Sequence, residues 1–487
     1  MASLVLASLR RGVLPRAFSP SFPGSCLQPR SLSTKTVSND ASRFTLVVPP
    51  NLKGAAVIEH LRKLRDHQGH APTLSFGSDA AVVLATPAFT RWLTDESFMS
   101  ALLATFASQD VQVLAGVVDD LHPLTDSGSP LAGFSILQGS AETLLPSLGT
   151  PSSPPQIRGP PLQGSLQFSL PGGVTREGPL SLNMPLANTV FQNGRESTLL
   201  ASSWKSQSQT TFTLANTIEK TRQEIALPGG APSLSVPLIP VTPRRKILGC
   251  LGNIISQIEI DGVGVPASTE LENEVQVVYD RRAAAGNLNS EGMPVDIWAL
   301  VSTPHGTVTP KIESIMDGLE AAEFDGPEEE GAVAQRNSAS VAKLLLSGFQ
   351  LHRITSGGGG WDKRRGRLSL DPTWSTSELT PDETMFLNLS DSGPAILQRG
   401  LLSPGSYIQF LTCPNHPPAH MGGVGSLVLG TSATRGGEVV VPDGEDVSCF
   451  WGHFGASSKR HFFLEEAGGH EGRVRTQVDS PFSYLIV

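Results

Sequence analysis

The segment between Phe44 and Val118 alternates between apolar runs and helical patterns, and this alternation limits the possible folds most. The runs FTLVVP (44–49), AAVVLAT (80–86) and VQVLAGVV (111–118) have the length and composition of buried strands. Between them, residues 52–67 carry apolar side chains at helical spacing, and residues 95–108 open with acidic residues that suit a helix start. This β-α-β-α-β order predicts a sheet with parallel neighbours that is covered by helices.

The rest of the chain predicts more strands than helices. Further apolar runs lie at 133–139, 198–204, 210–216 and 222–228, and the tail from Phe386 onward is glycine-punctuated and β-rich. The 49 glycines and 38 prolines favour turns and short strands over long helices. The expected fold class is α/β to α+β, with mixed sheets, covering helices and a β-rich C-terminal part.

Two segments have the composition of insertions. Residues 146–184 are rich in proline, serine and glycine, so we predict an exposed and poorly ordered stretch that holds neither helix nor central strand. Residues 324–337 are acidic and predicted to be solvated.

The N-terminal residues have the composition of a mitochondrial transit peptide. They contain five basic residues and no acidic residue before Asp40. The sequence Arg30-Ser31-Leu32-Ser33 fits a matrix processing site, which predicts removal of residues 1–32 and location in the matrix. An untargeted disordered tail is the alternative.

Charge and hydropathy exclude several classes of partner. The formal net charge of −9 and pI near 5.7 argue against a nucleic-acid binder, which needs a basic face. No apolar run reaches the 18 residues of a membrane span. The four cysteines form no CxxC pair, so reduced thiols are expected rather than a disulfide scaffold.

The segment ILGCLGNIISQIEIDGVGVPASTEL (247–271) resembles the FIST (F-box and intracellular signal transduction) module. The similar residues are Gly252-Asn253-Ile254-Ile255, Ile258, Asp261-Gly262 and Val265-Pro266-Ala267. Residues 79–89, 111–121, 403–412 and 423–430 are similar to strands of the two halves of that module, and no F-box precedes it. The resemblance implies a two-part module, with an N-terminal half at 40–270 and a C-terminal half at 271–487. It also implies binding of a small molecule, with amino-acid-like ligands or haem proposed for the family, rather than catalysis.

The stretch SGGGGWDKRRGRLSLDP (356–372) is the first candidate binding site. Its candidate residues are Gly357, Gly358, Gly359, Gly360, Trp361, Lys363, Arg364 and Arg365. A nucleotide loop requires a helix directly after the glycines, but a strand pattern precedes them at 349–355 and another follows, so a strand-loop-strand hairpin is predicted. Its amides and basic side chains could hold a small anion, and a plain hairpin with solvated charges is the alternative.

Asp119, Asp120 and His122 form the second candidate site. They follow the strand pattern at 111–118, and open α/β sheets place ligands at the carboxyl ends of their strands. Loop capping is the alternative role for these residues.

Cys413, His416, Cys449 and His453 raise a third possibility, a zinc or haem site. Buried thiols beside loop histidines are the alternative, because the spacing matches no standard zinc finger.

These patterns together favour a soluble mitochondrial protein that binds or senses a small molecule and is not catalytic. No GxSxG or HExxH motif is present. The alternatives are an enzyme that binds an anionic substrate at the loop 356–367, and a haem or zinc protein. The sequence specifies no cofactor and no oligomeric state.

Overall fold

The structure is a computed structural model, and the residues that it describes all lie within residues 40–487. The described residues are 43–68, 78–121, 131–150, 164–174, 178–208, 211–284, 295–302, 309–321, 324, 326–357, 366–371, 402–416, 418, 426–432, 447–466 and 474–487. The prediction of a transit peptide at residues 1–32 lies outside them and stays a prediction.

The described residues form mostly strands, with helices between some of them. The strands are β1 Arg43–Val47, β2 Ala80–Ala85, β3 Val111–Val117, β4 Gly133–Gly139, β5 Ser165–Leu170, β6 Leu180–Pro185, β7 Leu199–Ser208, β8 Thr211–Glu219, β9 Arg222–Ala226, β10 Ser233–Ser235, β11 Ile239–Pro240, β12 Arg245–Leu251, β13 Ile254–Ile260, β14 Val263–Pro266, β15 Ile297–Val301, β16 Gln350–Gly357, β17 Leu368–Leu370, β18 Tyr407–Thr412, β19 Leu427–Thr431, β20 Ser448–Trp451, β21 Phe454–Ser458, β22 Phe462–Glu466, β23 Val474–Val478 and β24 Tyr484–Ile486. The helices are α1 Gly54–Gln68, α2 Glu96–Phe106, α3 Ala141–Leu144, α4 Val190–Asn193, α5 Ala267–Ala284, α6 Pro310–Asp317 and α7 Pro327–Leu346, with a 3-10 helix at Pro87–Thr94. The predicted fold class, mixed sheets with covering helices and a β-rich C-terminal part, is confirmed.

The first part of the chain builds a seven-stranded sheet in the order β20-β1-β4-β2-β3-β7-β8. The alternation of strands and helices predicted for residues 44–118 is confirmed, because β1, α1, β2, α2 and β3 follow one another. The expected parallel pairing is present between β2 and β3, whereas β1 pairs antiparallel with β4 and β20. Apolar side chains of α1 and α2 form one core with this sheet, so the helices cover a face of it.

A five-stranded sheet, β23-β22-β6-β5-β9, corrects the prediction for residues 146–184. β5 and β6 lie in this segment and are central strands, although we predicted an exposed insertion. The reason is a strict alternation within the proline- and serine-rich composition: Leu166, Phe168 and Leu170 of β5 are buried and the residues between them are not. In this segment, the alternation of buried and less buried residues predicts the structure better than the average composition does.

The remaining strands form a four-stranded and an eight-stranded sheet. The four-stranded sheet has the order β10-β24-β19-β21, and its β19 and β21 are parallel. In the eight-stranded sheet, β14 joins as an edge strand on β13, and β15 pairs with β18, so that the path from β18 through β12, β13, β17, β16 and β15 returns to β18.

Two turns of the eight-stranded sheet have a left-handed backbone. Gly252 stands between β12 and β13 with φ of 59°. Asp261 and Gly262 connect β13 to β14 with φ of 51° and 78°, as a two-residue type I′ hairpin requires. Glycine tolerates this left-handed backbone at no steric cost, which explains the residue types at these turns.

The acidic segment 324–337 is largely helical, which corrects its prediction as a solvated patch. Pro327 occupies the first turn of α7, and the acidic residues that follow suit the positive end of the helix dipole. Glu328 and Glu329 are exposed as predicted, but Glu330 and Val333 are buried.

One apolar core contains side chains from all four sheets and from α7. The last strands of the chain are spread over three of these sheets: β20 joins the seven-stranded, β22 and β23 the five-stranded, and β21 and β24 the four-stranded sheet. The boundary proposed at residue 270 stays a prediction. Among the described helices, none has the length and apolar character that crossing a membrane requires.

Candidate functional site

The carboxyl ends of four strands meet beside Asp120. β2 and β3 are parallel, and the Val118 N–H after β3 donates to the Ala85 carbonyl at the end of β2. β19 and β21 are also parallel, and the Ser432 N–H donates to the Ser458 carbonyl where they end. A backbone bridge between Asp120 and Ser457 joins the two pairs. We call Asp119, Asp120, Ser432, Ser457 and Ser458 the carboxyl-end cluster.

Asp120 is the central group of the carboxyl-end cluster, and only 1% of it is exposed. Its Oδ1 accepts a hydrogen bond of 2.7 Å from the Leu131 N–H, and its Oδ2 accepts one of 2.9 Å from the Ser432 hydroxyl. Burial raises the pKa of Asp120 to about 7, although these hydrogen bonds and the charge of Lys459 favour the ionised form. The carboxyl group therefore changes its protonation near neutral pH.

Asp119 is less buried and lies beside basic residues. Its Oδ2 accepts a hydrogen bond of 2.9 Å from the Lys459 N–H. Burial raises the pKa of Asp119, while that hydrogen bond and the charges of Lys459 and Arg460 oppose the rise. Lys459 and Arg460 are both exposed. This side of the cluster therefore carries positive charge at its surface.

Ser457 presents a buried hydroxyl group to the same face as Asp120. The two residues exchange both backbone hydrogen bonds, of 3.3 and 2.9 Å, so their side chains project from one side of the bridge. Ser457 is fully buried, and its hydroxyl has no hydrogen-bond partner among the described residues. Buried polar groups of this kind are rare in folded proteins because each costs free energy, so this one requires an explanation.

Tyr484 of β24 lies on the same face of the four-stranded sheet as Ser457, because both residues are paired with Gly430 of β19. Its ring packs against Gly430 of β19, and the side chain is completely buried. Burial first, and then the charge of Asp120, raises the pKa of Tyr484 well above its ordinary value, so the phenol stays protonated.

The glycine-rich stretch is placed only in part. β16 and β17 pair antiparallel on either side of it, so the predicted strand-loop-strand arrangement is confirmed. Gly357 is the last residue of β16. The other candidate residues, Gly358, Gly359, Gly360, Trp361, Lys363, Arg364 and Arg365, lie outside the described residues, as does His122, so their predicted roles stay predictions.

The cysteine and histidine residues do not gather into one group. In the described part of the chain, no three His, Cys, Asp or Glu side chains are arranged to hold a metal ion. Burial raises the pKa of both Cys413 and Cys449 to about 12, so both thiols are protonated at neutral pH in the metal-free chain. His416 is exposed, and His453 is buried with its Nδ1 2.9 Å from the Thr45 hydroxyl.

A second carboxyl group with a raised pKa lies outside the carboxyl-end cluster. Asp479 follows β23, and its Oδ1 accepts a hydrogen bond of 2.8 Å from the Trp298 indole. Burial, and secondarily the charge of Asp371, raises the pKa of Asp479 to about 7. It is half-buried rather than fully buried, but its pKa is raised as that of Asp120 is, which makes it a matched control for experiments on the ionisation of Asp120.

Sequence reasoning found Asp119 and Asp120 but missed Ser432, Ser457 and Tyr484. The available signal was the short polar sequence after each apolar run, Thr431-Ser432 after one and Ser457-Ser458 after the other. That signal shows where strands end, but it does not show that β3, β19 and β21 end at the same place.

Comparison with known proteins gives no relative. No protein-family model matches the chain, and searches of curated proteins and of solved structures found no significant match.

Proposed function

We propose that this chain is a mitochondrial FIST-type protein that binds or senses a small molecule at the carboxyl-end cluster, without catalysing a reaction. The mitochondrial address is supported by the arginine-rich, acid-free N-terminus, and the FIST assignment by the residues of 247–271. The site is supported by the convergence of four strand ends, the position where open α/β sheets bind ligands.

The observation that carries the proposal is the position of the Ser457 hydroxyl, which lacks a partner in the described part of the chain and lies at the point where the four strand ends converge. The Asp120 carboxyl is explained by its partners, because it holds the Leu131 backbone and the Ser432 side chain in place. The Ser457 hydroxyl has no hydrogen-bond partner among the described residues, so no comparable structural role explains it. A bound ligand supplies the missing hydrogen bond and explains why a polar side chain is placed there.

A thermal-shift screen of the full chain tests the proposal. The compounds are amino acids, nucleotides, phosphorylated metabolites, small carboxylates and haem, and at least one class is expected to raise the melting temperature. Ser457→Ala should weaken binding of that class about five- to tenfold, because one hydrogen bond to the ligand is lost.

Ser406→Ala is the matched control. Ser406 is also buried with a hydroxyl that lacks a partner among the described residues, but it precedes β18 in the eight-stranded sheet. Its substitution should leave the ligand-induced shift unchanged. Equal loss in both variants, or no stabilisation by any class, contradicts binding at the carboxyl-end cluster.

A further inference from the structure

Asp120 and Ser457 lie opposite each other, and no hydrogen bond joins their side chains. They are direct neighbours across the bridge and project from one face of it. The Asp120 oxygens each accept a hydrogen bond from other groups, and the Ser457 hydroxyl has no partner among the described residues. A ligand atom between the two side chains can therefore hydrogen-bond to both.

The protonation of Asp120 decides which ligand atom fits. A neutral carboxyl group has one O–H to donate, whereas the ionised form only accepts. The charged and titratable groups around it are Asp119, Lys459, Arg460 and the neutral phenol of Tyr484. The Ser457 hydroxyl can also donate, so a neutral Asp120 and Ser457 together present two donors to one acceptor atom. The surface charges of Lys459 and Arg460 favour a ligand that is negative.

We propose that the carboxyl-end cluster binds a small carboxylate, one oxygen of which accepts hydrogen bonds from the protonated Asp120 carboxyl and the Ser457 hydroxyl. Because an ionised Asp120 would repel the ligand, binding takes up one proton from solvent onto Asp120 wherever the free protein has lost it. This inference rests on the proposed function, since it names the ligand class of the same site. An ammonium ligand would have the opposite effect, because it would favour ionised Asp120 and release a proton.

Isothermal titration calorimetry on the full chain measures this linkage with acetate, succinate and benzoate as probes. At pH 6 most Asp120 is protonated, and at pH 8 only about a tenth of it is, so the affinity should fall about tenfold between these pH values. Titrations in two buffers that differ in ionisation enthalpy give the number of protons exchanged. We expect uptake close to zero at pH 6 and close to one per ligand at pH 8.

Asp120→Asn provides the decisive variant. The amide is uncharged at every pH and can donate, with its oxygen facing the Leu131 N–H and its nitrogen facing Ser432 and the ligand. The variant should bind the carboxylate at pH 8 about ten times more tightly than the native protein, with no pH dependence. Asp479→Asn, the matched control, should keep the native pH profile, and Ser457→Ala should weaken binding about equally at pH 6 and pH 8.

The outcomes separate this inference from the proposed function. Loss of carboxylate binding in Asp120→Asn, or binding that strengthens with rising pH, overturns the inference. The inference is also overturned if another ligand class stabilises the protein while the three carboxylates have no effect. In that case the proposed binding function still stands. If Asp120→Asn does not fold, the proton count of the native protein decides alone: a value near zero or a release at pH 8 contradicts the proposal.

Discussion

Gly430 shows at the scale of one residue how tightly β19 and the last strand pack. A Cβ atom at this position would lie 2.2 Å from the Ser483 carbonyl oxygen and 2.3 Å from Cδ1 of Tyr484. Real Cβ atoms do not approach other atoms this closely, and the carbonyl oxygen belongs to backbone that the Thr431 N–H also bonds. The glycine therefore permits the close packing of Tyr484 against β19.

We predict that Gly430→Ala lowers the free energy of unfolding by about 1–3 kcal/mol, the range of overpacking in a filled core. Gly149→Ala is the control, because a Cβ atom there has nothing within 4 Å, and it should change stability by less than about 0.5 kcal/mol. Urea unfolding of both variants measures the difference. Equal stability of the two variants would show that the strand can move away at little cost.

The sequence predicts single residues of the site only where chain neighbours determine them. Asp119 and Asp120 follow a recognisable strand, so their place at a strand end is predictable. Ser432 lies 312 positions from Asp120, and its contact depends on where the four-stranded sheet packs. No local pattern contains that information.

Helices α5 and α7 are joined by a buried ion pair. Arg282 and Glu330 lie 2.5 Å apart with side chains 5% and 1% exposed, and the Arg282 guanidinium also donates to the Cys413 carbonyl over 2.8 Å. Because both charged groups are buried, solvent stabilises neither of them, and each depends on the opposite charge of its partner. The ion pair also explains why Glu330 is buried although it lies in the acidic first turn of α7.

We predict that Arg282→Met lowers the free energy of unfolding by about 3–5 kcal/mol, because Glu330 is left buried without its partner charge. The double variant Arg282→Met with Glu330→Leu should recover most of that loss. Arg195→Met is the control, since its pair with Glu219 is exposed and is worth about 0–1 kcal/mol. Urea unfolding measures the stability of all three variants. A double variant that is no more stable than Arg282→Met would contradict this explanation.

Elements with a clear period were predictable, and those judged by composition were not. β1 to β4 and their helices lie close to the predicted positions, because apolar runs and helical spacing identify them. β5, β6 and the N-terminal part of α7 were missed because proline, serine and acidic residues concealed alternating or helical burial, whereas the end of α7 near residue 346 was predicted. Residue spacing is physically more informative than residue content, because burial depends on which side chains share a face.

For the whole molecule, buried ionisable groups link stability to pH. Asp120 and Asp479 both have pKa values near 7, so between about pH 4 and 7 the folded chain binds protons that the unfolded chain has released. Their contribution to the unfolding free energy is therefore present at pH 4 and lost as the pH rises through 7. His352, His453 and His461 act oppositely below pH 6.5, since burial lowers the pKa of each to about 4.

We predict that the double variant Asp120→Asn with Asp479→Asn gains stability relative to the native chain as the pH rises from 4 to 8. The histidines contribute equally to both proteins, so the difference between them isolates the two carboxyl groups. A shift of about three pKa units corresponds to about 4 kcal/mol per group as an upper estimate. Unfolding free energies from urea titration at several pH values measure it, and a difference independent of pH would show that the two groups are ionised in the folded state.

At this scale the sequence predicts the fold class but not the connections between sheets. Mixed sheets with covering helices follow from strand and helix patterns. The pairing of C-terminal strands with N-terminal ones does not follow from these patterns, since β20 and β1 pair through residues about 400 positions apart in the chain.

The spread of β20 to β24 over three sheets also affects when the chain can fold. During synthesis, the seven-, five- and four-stranded sheets cannot be completed until β20 to β24 have been made, long after the strands that they join. Pairings this distant in sequence also form slowly after synthesis ends. The nascent chain therefore spends longer without its final structure than a protein built from local contacts. Such a delay suits a chain that must pass unfolded through an import channel, as the mitochondrial address proposed for it requires.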